Sequence, residues 1–82
     1  MVDITELSIE VLTRWVMTER DIESIFDEVA AQYGVADEEY GRVKAAVLSD
    51  YQHLQRANLA RLRGLRGNSE RLGQEIAGIL RW

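Results

Sequence analysis

Residues 37–65 read DEEYGRVKAAVLSDYQHLQRANLARLRGL, and this stretch decides the predicted fold. Its apolar residues recur every three or four positions, which is the spacing of one face of an α-helix. They form one stripe, interrupted by a single polar residue: Tyr40, Val43, Val47, Tyr51, Leu54, Asn58, Leu62 and Leu65. Acidic residues open the stretch and arginines close it, as a helix dipole favours. The pattern predicts one long helix from about Asp37 to Arg63.

Two shorter helices are predicted ahead of this stretch. The first runs from about Asp3, its N-cap, to Met17, and it is apolar on two sides. A helix of that kind has to be covered by its own chain or by a partner. The second runs from about Thr18, its predicted N-cap, to Tyr33, which is expected on its buried face. Gly34 then ends the second helix as a left-handed C-cap.

A fourth helix is predicted after a glycine-containing break. Asn68 or Ser69 is its predicted N-cap, and it runs to about Arg81. No segment alternates apolar and polar residues for long enough to predict a strand. The predicted fold is a single all-α domain over residues 1–82, a compact bundle of three to four helices with the long third helix as its spine. Because so small a domain is marginally stable alone, we expect oligomerisation or a partner to complete it.

Composition excludes several kinds of chemistry. The chain has no cysteine and a single histidine, His53, so thiolate zinc sites, iron–sulfur clusters, disulfide scaffolds and cysteine nucleophiles are excluded. No cofactor is expected. Ser49 and Asp50 lie within reach of His53 on a helix, but no nucleophile site joins them. We therefore predict that the chain is not an enzyme and has no small-molecule substrate.

The sequence also bears on location. No continuous apolar run approaches the roughly 20 residues of a membrane span. The acidic N-terminal residues differ from the basic start of a secretory signal. A cytoplasmic protein without a membrane partner is expected.

Charge is distributed unevenly along the chain. The net charge is −4, but residues 1–40 hold eleven acidic and two basic residues, a net charge of −9. Residues 51–82 hold six arginines and two acidic residues, a net charge of +4. Such asymmetry is typical of a nucleic-acid-binding surface or of complementary ends that meet in an assembly.

The predicted helices have a large apolar surface for so short a chain, and the two ends of the chain carry opposite net charge. Together these features predict a non-enzymatic protein–protein interaction module. It would be an assembly component, an adaptor or an inhibitor of a larger complex, and its partner would be another protein or a second copy. The side chains predicted to form this partner or oligomer interface are Ile9, Leu12, Trp15, Val16, Val47, Tyr51, Leu54 and Trp82.

The alternative function is that of a small nucleic-acid-binding regulator using the arginine-rich region 56–71. Arginine is well suited to phosphate recognition. The predicted nucleic-acid contacts are Arg56, Arg61, Arg63, Arg66 and Arg71. The other interpretation of these arginines is that they pair with acidic residues of the first two helices or of a neighbouring copy.

Residues 26–44, FDEVAAQYGVADEEYGRVK, resemble a helix-turn-helix unit, with a small residue at Ala30 and a turn glycine at Gly34. In the regulator alternative this hairpin would be the scaffold. Its second helix opens with acidic residues, which phosphates repel. A plain αα-hairpin is therefore the competing interpretation.

The acidic half allows one further interpretation. A dense array of carboxylates can imitate the phosphates of DNA and occupy a basic groove on another protein. The residues that would form it are Glu19, Asp21, Glu23, Asp27, Glu28, Asp37, Glu38 and Glu39. Solvated helix faces are the competing explanation.

Overall fold

The structure, a computed structural model, describes residues 3–57 and 59–81 and contains five α-helices within those ranges. Their bounds are Ile4–Thr18 for α1, Ile22–Tyr33 for α2, Asp37–Gln55 for α3, Leu59–Arg63 for α4 and Ser69–Leu80 for α5. No strand occurs in the described part of the chain, so the all-α prediction is confirmed.

The central helix is α1, which packs against each of the other four helices. Its two apolar sides enter two different cores. Leu7 and Val11 pack in a core shared with α2 and α3. Leu12 and Val16 pack in a second core shared with α3, α4 and α5. The two-sided first helix is therefore covered by its own chain, and it takes the place of the third helix as the spine.

The long third helix predicted from the sequence is broken. α3 ends at Gln55, where the chain tightens as the backbone N–H of Ala57 donates to the Leu54 carbonyl at 2.9 Å. α4 begins at Leu59. In an unbroken helix Leu62 would lie about 12 Å beyond Leu54 along the axis. Beyond the break, α4 contacts α1, and both leucines are buried in the second core.

Side-chain caps set the starts of three helices. Asp3, Asp21 and Asn68 each accept a hydrogen bond from the backbone N–H three residues later. The N-cap at Asp3 is as predicted, and Asn68 is one of the two residues predicted to cap the last helix. Thr18 does not cap the second helix, because it is the last residue of α1 and its hydroxyl donates to the Arg14 carbonyl at 2.7 Å. α2 therefore begins later than predicted.

The chain alone buries as much surface as an ordinary monomer of its size. Its accessible surface is 5160 Å², close to the roughly 5000 Å² typical of a folded monomer of this mass. Its radius of gyration is 12.0 Å, where about 12 Å is typical of this length. Completion of the bundle by a second copy or a partner is not required by these values, and it stays a prediction.

Candidate interaction surface

The C-terminal end of α1 is closed by Arg66, which lies between α4 and α5. Its Nε donates to the Val16 carbonyl at 2.7 Å, and its Nη2 lies 2.5 Å from a Glu19 carboxylate oxygen. The second contact is an ion pair without hydrogen-bond alignment. The last carbonyls of a helix lack partners within the helix, and a cation there also complements the helix dipole. Arg66 is therefore a cap for α1.

Glu19 is the residue on which two arginines converge. Its backbone lies in the left-handed region at φ 55°, and its N–H donates to the Trp15 carbonyl at 2.8 Å. Its carboxylate contacts Arg66 and also lies 3.3 Å from the Nε of Arg63. The sequence indicated Glu19 only as one carboxylate of an array that could imitate DNA. A left-handed C-cap is usually glycine or asparagine, so the residue type carried no signal for this role.

The remaining arginines of region 56–71 differ in their surroundings. Arg61 pairs with Glu75 of α5 at 3.3 Å. Arg56 and Arg71 are exposed and form no ion pair within the described residues. Three of the five arginines predicted to contact nucleic acid are therefore held in ion pairs within the chain.

Half of the predicted interface lies in the chain's own core, at 3% exposure or less: Leu12, Val16, Val47 and Leu54. The helices of the same chain cover these side chains, so they form no surface of the folded monomer. Ile9, Trp15 and Tyr51 are half-buried. The rings of Trp15 and Tyr51 pack edge to face with their centroids 4.9 Å apart, and this contact joins α1 to α3. Trp82 lies outside the described residues.

α2 and α3 form the hairpin that resembled a helix-turn-helix unit. Gly34 ends α2 with φ 68°, as predicted for a left-handed C-cap. Across the hairpin the rings of Phe26 and Tyr40 pack edge to face at 5.4 Å. The first turn of α3 exposes Asp37 and Glu38 where a recognition helix would meet phosphates. The electrostatics at this end of α3 therefore oppose DNA binding.

Most carboxylates of the proposed DNA mimic are engaged within the chain. Glu28 accepts two hydrogen bonds from Arg20, at 2.6 and 3.1 Å, and these lower the pKa of Glu28. Asp27 accepts a hydrogen bond from the Tyr40 hydroxyl, which raises the pKa of Tyr40. The others with a cap or ion-pair contact are Glu19, Asp21, Glu23 and Glu39. Left without such a contact among the described residues are Asp37 and Glu38.

One face of the central helix is not covered by the others. Residues Glu6, Glu10, Arg14 and Met17 follow one another on this face, here named the α1 outer stripe. On its α2 side Arg14 donates to Glu10 and to Gln32, both at 2.9 Å. On its other side α5 packs close to α1.

Two exposed large apolar side chains lie on this surface: one belongs to the stripe and the other borders it. Met17 is 40% exposed and Tyr33, at the end of α2, is 38% exposed. Partial burial, followed by the carboxylates of Glu10 and Glu6, raises the pKa of Tyr33. The prediction that Tyr33 lies on the buried face of its helix is wrong. As the last residue of α2, Tyr33 has no following turn beside it to cover its ring.

Two side-chain contacts involve the groups considered for catalysis. The Nε2 of His53 donates to the Ile79 carbonyl at 3.1 Å and so ties α3 to α5. The buried Ser8 hydroxyl donates to Asp50 at 2.7 Å and ties α1 to α3. Each of these groups has a structural role that accounts for its position.

A shallow, polar depression of about 380 Å³ lies at the start of α5. It is lined by Asn68, Glu70, Arg71, Gln74 and Glu75. Within residues 3–57 and 59–81, no three acidic or histidine side chains converge as a metal site would require. No helix in these ranges is long and apolar enough to cross a membrane.

Comparisons with protein-family models, with curated proteins and with solved structures find no match to this chain. Its function has to be inferred from its own residues.

Proposed function

We propose that this chain is a non-enzymatic protein–protein interaction module. The observation that carries the proposal is the exposure of Met17 and Tyr33, the two exposed large apolar side chains within residues 3–57 and 59–81. Aromatic residues such as tyrosine often supply much of the binding energy of protein-binding surfaces.

The placement of the arginines supports a protein partner over a nucleic acid. A phosphate that approached Arg66 would compete with the Val16 carbonyl and the Glu19 carboxylate, which already hold that guanidinium. Arg63 and Arg61 are likewise paired within the chain. The net charge of −4 adds long-range repulsion of a polyanion.

The nucleic-acid-binding regulator is the competing function. It would depend on Arg56 and Arg71, the two predicted contacts that form no ion pair in the described chain. Two separate surface arginines give few phosphate contacts, and the affinity of nucleic-acid binding rises with their number. The interaction module is therefore the function that the geometry supports better.

Site-specific photo-cross-linking tests the proposal. A photoreactive phenylalanine analogue replaces Tyr33 in one variant and Gln52, on the exposed side of α3, in a matched control. Both are expressed in cells of the source organism and irradiated. We expect a discrete protein adduct at position 33 that is absent at 52, and the identified partner, made separately, should bind the purified chain. Absence of protein adducts at both positions, or adducts to nucleic acid, would contradict the proposed function.

A further inference from the structure

The α1 outer stripe has the dimensions of a short docking site. Glu6 and Met17 are eleven residues apart on one side of α1, which corresponds to about 16 Å along the helix axis. That length matches three turns of a partner helix. Tyr33 borders the stripe, because Gln32, its neighbour at the end of α2, accepts a hydrogen bond of 2.9 Å from Arg14. The carboxylates of Glu10 and Glu6 add to the effect of partial burial in raising the pKa of Tyr33. The surface thus has an apolar end at Met17 and an aromatic, acidic end at Tyr33.

The charge of this surface is negative and partly uncompensated. Arg14 neutralises Glu10 in an ion pair of 2.9 Å, and both side chains are more than a third exposed. Glu6 is exposed and forms no ion pair within the described chain. Asp3 caps α1 close by and is also exposed. A cationic side chain that reached this end would meet carboxylates and the face of an exposed tyrosine ring, and both attract cations.

We propose that the α1 outer stripe binds a basic amphipathic helix of a partner protein, an inference that rests on the function proposed above. Apolar residues of that helix lie against Met17 and Tyr33, and its lysines or arginines lie beside Glu6. Helices that dock in this way present anchors at i, i+3, i+4 and i+7. Charge complementarity selects a basic partner over an acidic one.

A second copy of the chain is a poorer occupant. Its uncompensated cations, including Arg56 and Arg71, lie in the C-terminal half, whereas the stripe lies in the N-terminal half. Contact between two different surfaces of identical chains is heterologous and extends to rings or filaments rather than closing as a dimer. The stripe is therefore assigned to a different protein.

A peptide titration followed by amide chemical shifts tests the assignment on the whole chain. The probe is a helical peptide of leucine and lysine, about three turns long, and its counterpart carries glutamate at every lysine position. We expect the basic peptide alone to bind, with shift changes centred on α1 and the end of α2. Y33A should weaken binding about fivefold or more, and E6Q by about twofold to fivefold.

The matched control is E38Q, which removes the same charge from an exposed carboxylate at the start of α3. It should change the affinity by less than about twofold, and the thermal midpoints of all three variants should stay close to that of the parent chain. Equal binding of the two peptides, no binding of either, shift changes centred elsewhere, or self-association of the free chain would each overturn the assignment. If a protein partner cross-links at position 33 or 52 while the stripe variants bind that partner normally, the proposed function stands and this inference fails.

Discussion

Arg66 donates a hydrogen bond of 2.7 Å from its Nε to the carbonyl of Val16, a residue fifty positions earlier in the chain. The bond joins the arginine-rich segment to the end of the central helix. Glu19 completes the arrangement by pairing with the same guanidinium at 2.5 Å. The segment whose composition suggests phosphate binding therefore has a structural role. Replacing Arg66 should lower the stability of the fold.

Replacing Arg66 should destabilise the fold. R66A removes the hydrogen bond to Val16 and leaves that partly buried carbonyl without its donor. Hydrogen bonds from charged donors contribute about 1.5–3 kcal/mol. We expect the free energy of unfolding in urea to fall by about 1–3 kcal/mol. R56A, which removes an exposed arginine without an ion pair, is the control and should change it by less than about 0.5 kcal/mol. Equal effects of the two variants would show that Arg66 does not cap α1.

Leu62 should matter more than its place in a five-residue helix suggests. It is 1% exposed and packs in the second core with Leu12 and Val16. L62A should lower the free energy of unfolding by about 2–4 kcal/mol, because a buried leucine is replaced by a cavity. L65A, at a half-buried position nearby, should cost less. If L62A proved as mild as L65A in urea denaturation, α4 would not be packed on α1 as described.

Alanine substitutions at two glycines of the hairpin should change the stability of the chain in opposite directions. Gly34 has a φ of 68°, so G34A places an alanine in the left-handed region and should cost about 1–2 kcal/mol. Gly41 lies inside α3 with open space around the position of a Cβ atom. G41A should stabilise the chain by about 0.5–1 kcal/mol. Thermal or urea denaturation of both variants checks the helix boundary, and a stabilising G34A would contradict it.

Tyr33 and Tyr40 should ionise above the usual tyrosine range. Partial burial raises the pKa of Tyr33, and the hydrogen bond to Asp27 raises the pKa of Tyr40. A raised pKa means that the folded state holds the proton more tightly than the unfolded state. Their contribution to stability is therefore complete below about pH 10 and is lost as the pH rises through the folded pKa values.

Ultraviolet absorbance of tyrosinate measures these ionisations. D27N should return the pKa of Tyr40 towards its ordinary value, and Y40F identifies which part of the titration belongs to that residue. Tyr33 should titrate as before in both variants. A titration of the folded chain that coincides with that of the urea-unfolded chain would contradict both the partial burial of Tyr33 and the hydrogen bond between Tyr40 and Asp27.

Much of the fold could be predicted because its signals are local. The caps at Asp3 and Asn68 and the left-handed Gly34 follow from residue types that favour those positions. The apolar sides of the helices follow from spacing. The second stripe of α1 was also visible in the sequence, and it is the feature that makes α1 the spine.

The errors arose where tertiary contacts outweigh local pattern. The stripe from Tyr40 to Leu65 keeps helical spacing throughout, yet α3 ends at Gln55, and the separate helix α4 places Leu62 in the second core. Leu12 and Leu54 have the same apolar spacing whether a partner or their own chain covers them, so spacing could not separate interface from core. The pairing of Arg66 with Val16 joins residues too distant for any sequence period to indicate.

The central claim is that the arginine-rich segment builds the fold and does not bind nucleic acid. Fluorescence anisotropy of labelled duplex DNA and single-stranded RNA, titrated with the purified chain at about 50 mM salt, tests it under the condition that most favours phosphate contacts. The account predicts no saturable binding of either nucleic acid. Binding that falls steeply as salt is raised, and that is lost when the exposed Arg56 and Arg71 are replaced together, would contradict it.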